Sequence, residues 1–287
     1  MTYSIVARDA ETGAFGVGVQ THQPAVGAIV PWVKAGIGAV ATQSFANINF
    51  GPQGLALLEH GLNAPRTLAA LIAGDHMPGR RQVAIIDGDG AVAVHTGAEC
   101  IPFASHVVGD GFSAQANMMT SEGVPEAMAE AFVSGTGVLA ARIMAALEAA
   151  QRAGGDIRGS QSAAILVRAP GPLDYTWDLR VDNSKDPLAE LRRLVDVRVA
   201  GALLREVGAS TPYEEAMAAY REASRLYPSD EQTFWFALNG LTAMGRPDEA
   251  AALVGPVFER GLQWRELLGR LDLPGAAELR EAVERTG

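Results

Sequence analysis

Two hydroxyls open the chain. Thr2 and Ser4 stand two residues apart, and in a strand that spacing places both side chains on one face. Gln43, Asn47 and Asn49 cluster where the apolar run from Gly36 ends, and Asn117 closes Gly109-Asp-Gly-Phe-Ser-Ala-Gln-Ala-Asn117. Neutral amides of this kind can donate to a developing oxyanion, or with equal ease bond their own turn. Lys34 is the first lysine, and the next is Lys185; the Gly and Pro near Lys34 suit an exposed turn. His22, His95 and His106 lie singly, without a His-x-x-x-His spacing, and read as packed or hydrogen-bonded rings rather than metal ligands. Neither a phosphate-cradling loop nor a dinucleotide fingerprint occurs, and Asp87-Gly-Asp-Gly90 lacks the later Glu of a calcium loop. No cofactor and no metal are expected.

The elements that must position these groups follow from patterning. Residues 3–8 and 15–21 read as a hairpin, and the apolar stretch 25–33 and residues 36–43 as further strands. A helical pair is predicted over 52–61 and 65–73. Strands 82–86 and 91–95 flank Asp87-Gly-Asp-Gly90, whose Asp-Gly steps supply the positive φ of a tight turn. Strand 106–115, interrupted at Gly109-Asp-Gly111, precedes a second helical pair, 125–133 and 137–152. Strands 161–167 and 175–181 and a helix over 187–207 complete the series. Strands, two helices, strands, two helices, strands, helix is not an alternating βαβ order. It suits an α+β fold in which two antiparallel sheets are enclosed by helix pairs, a four-layer αββα sandwich.

Four stretches make this reading more specific: Thr2-Tyr-Ser-Ile-Val-Ala-Arg-Asp9, residues 26–43 around Pro31-Trp-Val-Lys34, His95-Thr-Gly-Ala-Glu-Cys100, and residues 109–117. Together they resemble a bacterial family, domain of unknown function one-thousand-and-twenty-eight, from residue 2 to about residue 206. That family is grouped by fold with the N-terminal-nucleophile (Ntn) hydrolases. The resemblance implies Thr2 as a nucleophile whose own α-amine is the base. An α-amine with a pKa of about 7.7–8.0 takes a hydroxyl proton without help from a histidine. This chemistry requires removal of Met1, because an acylated Thr2 nitrogen is an amide and no base. Ser4 would orient the amine or a water, Lys34 would favour the deprotonated nucleophile as a basic residue does in proteasome-like relatives, and Asn47 and Asn117 would donate to the oxyanion. Gln43, His22, Glu99 and Asp110 would line the substrate pocket. Carboxylates beside glycine turns also commonly bond to backbone.

Composition narrows the partners. The 287-residue chain is 48% hydrophobic and 20% charged, the proportions of an ordered globular protein. With 33 acidic and 23 basic residues its net charge is −10, which opposes binding to nucleic acid or an anionic bilayer. One cysteine, Cys100, cannot make an intramolecular disulfide. No span approaches the ~20 apolar residues of a membrane helix, and the start lacks the basic and apolar segments of a secretory signal, so a cytoplasmic location is expected. The turn formers Gly208-Ala-Ser-Thr-Pro212 mark a boundary between domains at 1–208 and 209–287. Beyond it, helices are predicted over 215–227, 230–244 and 247–260. Ala218-x-Tyr220-x-x-Ala223-x-x-Leu226-Tyr-Pro228 resembles the end of a tetratricopeptide repeat. Some members of the family carry instead a C-terminal segment thought to bind peptidoglycan, so this tail removes the argument for a cell-wall ligand. The leading expectation is hydrolysis of a small amide or peptide substrate through Thr2. The alternatives are a non-catalytic ligand-binding protein, or an adaptor that meets a protein partner or a second copy through its C-terminal helices.

Overall fold

The computed structural model describes residues 2–171 and 176–286; Met1 and Tyr175, which entered the sequence reading, lie outside them. By its contacts the chain divides into two compact units, residues 1–195 and 196–287.

The first unit holds two antiparallel sheets. One has six strands, in the order β10-β9-β2-β1-β8-β7: β1 (Thr2–Arg8), β2 (Phe15–Thr21), β7 (Ser105–Gly109), β8 (Phe112–Asn117), β9 (Ser162–Arg168) and β10 (Trp177–Val181). The other runs β3-β4-β5-β6, formed by β3 (Pro31–Lys34), β4 (Gly38–Ser44), β5 (Arg81–Asp87) and β6 (Val92–Thr96). Helices α1 (Phe50–Glu59) and α2 (Ala64–Ala73) cover the outer face of the smaller sheet. Helices α3 (Val124–Ser134) and α4 (Leu139–Arg152) cover that of the larger one. The architecture is the expected αββα sandwich.

Burial explains why the strand sequences do not alternate apolar with polar. Residues 2–7 of β1 are all buried, because odd positions face α4 and even positions face the other sheet. Between the sheets, Val6, Phe15, Val17, Val19, Ala39, Ala41, Ala84 and Ile86 form an apolar core. Val40, Val83, Ile85, Leu58, Leu68 and Leu71 fill the layer under α1 and α2. On the α4 side, Gly16 and Gly18 admit Ile143 so closely that a Cβ at Gly18 would lie 2.3 Å from its Cγ2. The β5–β6 turn is held by Asp87, whose carboxylate accepts from the Asp89 and Ala91 amides at 3.1 and 3.0 Å, and also from Ala64 N at the start of α2 (2.8 Å).

The stretch 25–33 departs from expectation. Val26–Ala28 forms a 3₁₀ turn ahead of the short β3, with Ala28 N and Ile29 N donating to the carbonyls three residues back. A continuous apolar run has no period with which to separate strand from buried turn. The run 106–115 splits at Gly109-Asp-Gly111 into two separate strands, β7 and β8.

Helix α5 (Pro187–Arg205) runs across the division between the units, which falls after Val195. The second unit contains α6 (Tyr213–Leu226), α7 (Asp230–Phe236, continued by a π-helical turn to Thr242), α8 (Pro247–Arg260), α9 (Leu262–Arg270) and α10 (Ala276–Thr286). Its core gathers Phe234, Phe236, Leu238, Val254, Phe258 and Leu279, with Tyr220 stacked on Phe236 at 4.6 Å. The last two helices were not read from sequence; α9 spans only nine residues and buries only Leu268.

Candidate functional site

At one end of the sandwich the layer between the sheets changes from apolar to polar. Register produces the change. Thr2 pairs with Thr21 on one side and Asn117 on the other, and Ser4 pairs with Val19 and Gln115, so these side chains share the inward face. Opposite them, Gln43 pairs with Gln82, and Gln82 with Thr96. All but Thr96 are at least nine-tenths buried.

The groups form one hydrogen-bonded network with Gln82 at its centre. Gln82 Oε1 accepts from Gln43 Nε2 (2.7 Å) and Asn117 Nδ2 (2.9 Å). Its Nε2 donates to Ala116 O (2.9 Å), Thr96 Oγ1 (3.0 Å) and Ser105 O (3.2 Å). Gln43 Nε2 and Asn117 Nδ2 each also reach Thr2 O at 3.3 Å. The Thr2 hydroxyl donates to Thr21 Oγ1 at 3.2 Å, and Ser4 Oγ accepts from Gln115 Nε2 at 2.6 Å. Carbonyl oxygens fix how the Gln43 and Asn117 amides point, since both groups face acceptors only and must present nitrogen. Two hydrogens per amide nitrogen are therefore already engaged. Gln43 and Asn117 hold the Thr2 backbone in place, and neither has a hydrogen left for an oxyanion at this position. Gln43 Oε1 remains a buried acceptor without a protein partner.

Four of the expected residues, Thr2, Ser4, Gln43 and Asn117, thus meet in one network. Lys34 does not join them. It pairs with Gly38 at the far end of the small sheet, roughly 17 Å along β4 from Gln43 at ~3.3 Å per residue. There it is exposed and bridges to Glu59 at 2.5 Å, a contact that lowers the Glu59 pKa chiefly through the hydrogen bond itself. Asn47 lies in the loop after β4, where it accepts from Asn49 N and Thr42 Oγ1 and bonds the Asp75 carboxylate. Glu99 is an exposed partner of Arg80 at 3.0 Å. Asp110 is exposed in the β7–β8 turn, at the end of β8 opposite Asn117. His22 directly follows Thr21; its amide donates to Asp156 Oδ2 (3.1 Å), and its Nδ1 is buried without a protein partner.

Gln82, Gln115, Thr21 and Thr96 were missed by the sequence reading. The available signal was a Gln or Thr at one end of the otherwise apolar inward faces of β2, β4, β5 and β6. His106 is attached to the network's edge, with Nδ1 2.9 Å from Thr96 Oγ1. Loss of hydration, and secondarily the nearby His95, hold its pKa below the ordinary imidazole value. Among the described residues no group of three or more His, Cys, Asp or Glu side chains could hold a metal.

The loops at this end carry unusual backbone. Among the described residues, the non-glycine positions with positive φ are Ala25, Ser44, Phe103 and Met118. Ser44 and Met118 are the immediate neighbours of Gln43 and Asn117, and the other two lie in loops that leave the same end of the sandwich. Such conformations cost of order 1–3 kcal/mol each and tend to cluster at functional sites.

These features define a two-sheet α+β protein with a buried, uncharged polar layer at one end. The chain matches a family described as "Family of unknown function (DUF1028)" over residues 2–191, and it belongs to that family. Among solved structures it is similar to protein SPO2555 from Silicibacter pomeroyi, assigned to the same family, with 30% identity, a TM-score of 0.65, and coverage of 72% of this chain and 94% of that one. A weaker likeness, to Anbu (ancestral beta-subunit) from Yersinia bercovieri, has 10% identity and a TM-score of 0.30 over 73% of this chain and 98% of that one. No curated protein matches the chain. No helix among the described residues is long and apolar enough to cross a membrane.

Proposed function

We propose that the protein is an Ntn-type hydrolase that cleaves a small amide or peptide bond by acyl transfer through Thr2. The observation that carries this reading is the setting of Thr2. It begins a strand inside the larger sheet, its hydroxyl points into the layer between the sheets, and two amides grip its carbonyl from either side. With Met1 removed, the free α-amine takes the Oγ1 proton as Oγ1 attacks the substrate carbonyl carbon. The tetrahedral intermediate then collapses, the C–N bond breaks, and the ammonium returns the proton to the leaving amine. Water, activated by the same amine, hydrolyses the resulting ester and frees the threonine. Gln43, Asn117 and Gln82 act as positioning groups, because a nucleophile held in attack geometry saves orientational entropy.

A second reading has its own support. Every side chain of the polar layer named above is uncharged, and one acceptor, Gln43 Oε1, lacks a protein partner. Without a free Thr2 amine the hydroxyl of Thr2 has no base bonded to it, and the layer would serve to bind a neutral polar ligand. In either reading the C-terminal unit, whose α6 carries the tetratricopeptide-like pattern, would meet a protein partner or a second copy.

The test is intact mass of the purified protein, followed by a screen of small amides and acyl peptides. Processed wild type, Met1-retaining protein and Thr2→Ala are compared. Turnover by wild type alone supports the nucleophile. Equal turnover by all three removes it, and binding without turnover favours the second reading.

A further inference from the structure

The geometry points to an uncharged amide with an apolar acyl group as the substrate class; this rests on the Thr2 site described above. Within the first unit, six large apolar side chains stand exposed in the loops at the Thr2 end: Phe45, Ile48, Met77, Ile101, Phe103 and Ile157, each with 37–59% of its surface in water. Scattered apolar exposure is ordinary, but a group of this kind concentrated at one end marks a binding surface.

The loops that bear these residues are tied together. Phe45 N donates to Arg80 O at 3.2 Å, the Arg80 guanidinium lies 5.4 Å from the Phe45 ring centre, and Arg80 N donates to Met77 O at 3.0 Å. From the other sheet, Met118 N and Met119 N donate to Ile101 O and Phe103 O at 3.2 and 3.4 Å, and Ile157 N donates to Met118 O at 3.4 Å. Apolar side chains are therefore anchored beside Gln43 on one sheet and beside Asn117 on the other, the two amides that hold Thr2.

Charge selects against ionic substrates. The nearby Arg80, Arg81 and Arg158 are each paired, with Glu99, Asp75 and Asp156, and the polar layer beneath is neutral. A carboxylate or ammonium entering this end would shed water without gaining a counter-ion there. A neutral amide can donate to the unpartnered Gln43 Oε1 while its acyl chain covers the rim. The occupant is a small molecule rather than an anionic membrane, which the net charge of −10 repels.

The experiment uses full-length protein and one series of p-nitroanilides carrying acetyl, butyryl, hexanoyl, phenylacetyl or succinyl groups. kcat/KM is measured for wild type and for the Phe45→Ser/Phe103→Ser double variant. Equilibrium binding of the same compounds is measured with Thr2→Ala. Both quantities should rise about fourfold per methylene buried from acetyl to hexanoyl, with succinyl weakest, and the double variant should flatten the series. A gradient in binding with no turnover would remove the nucleophile but uphold the acyl preference. A flat series, a preference for succinyl, or no binding of any compound overturns the inference. So does a dimer, seen by light scattering, that the double variant converts to monomer, because the rim would then be an interface between copies.

Discussion

Gln82→Leu isolates the network from every other feature of the fold, since the two side chains have similar volume and residue 82 is fully buried. The change removes the acceptor shared by Gln43 and Asn117 and the donor to Thr96 and two carbonyls. Asn117 then keeps only its 3.3 Å bond to Thr2 O, while Gln43 keeps that oxygen and Gln115 O at 3.4 Å. A buried donor or acceptor deprived of its partner costs about 1–3 kcal/mol. Two amide hydrogens are affected, with some relaxation toward their remaining acceptors, so the expected loss is roughly 2–4 kcal/mol, a large share of a domain's ~5–15 kcal/mol. The assay is hydrogen exchange by mass spectrometry across β5 and β8, together with urea midpoints. Exchange at 81–83 and 115–117 should accelerate in step with the fall in midpoint. Gln82→Glu should lose more at neutral pH, because a carboxylate would face the Ser105 and Ala116 carbonyls. The triple change of Gln43, Gln82 and Asn117 to Leu should cost less than the sum of the single changes, since it removes donors and acceptors together. A Gln82→Leu protein within about 0.5 kcal/mol of wild type, the usual range of a neutral surface change, would refute the network as a structural centre.

Gly16→Ala should destabilise the first unit by about 1–3 kcal/mol through overpacking, because its Cβ would meet Ile143 Cδ1 at 2.6 Å; Ile143→Val, which removes that atom, should recover part of the loss in thermal melts. The Arg81 guanidinium lowers the Asp75 pKa, mainly through their hydrogen bond, so this pair contributes stability above the unfolded carboxylate value of about 3.9. That contribution is lost as pH falls below ~4 through the folded value; urea midpoints at pH 7, 4 and 3 should therefore drop more steeply for wild type than for Asp75→Asn, which lacks the contribution throughout. A chain ending just after α5, at residue 208, should keep the two-sheet unit folded, whereas one ending at Val195 truncates that helix and should exchange faster over it. Circular dichroism and hydrogen exchange of both proteins decide this.

Much of the fold was legible because local chemistry specified it. Asp87-Gly-Asp-Gly90 could only be a tight turn between strands, Leu68, Leu71 and Ile72 could only share a helix face, and the order of elements excluded a parallel sheet. Period two placed Thr2 and Ser4 on one side of β1. No local rule says which side that is, since both faces of the strand are buried. Pairing decides it: Thr2 lies beside Asn117 and Thr21, and the facing sheet brings Gln43 and Gln82, residues 39 apart in the chain, within 2.7 Å of each other. The same register carries Lys34 to the opposite end of the sheet, where no sequence window around Lys34 could reveal its distance from Thr2. Sequence thus determined the periods and the turns, because these depend on neighbours along the chain. The site was decided by the tertiary structure alone, because a hydrogen bond between sheets depends on registers that only the packed whole selects.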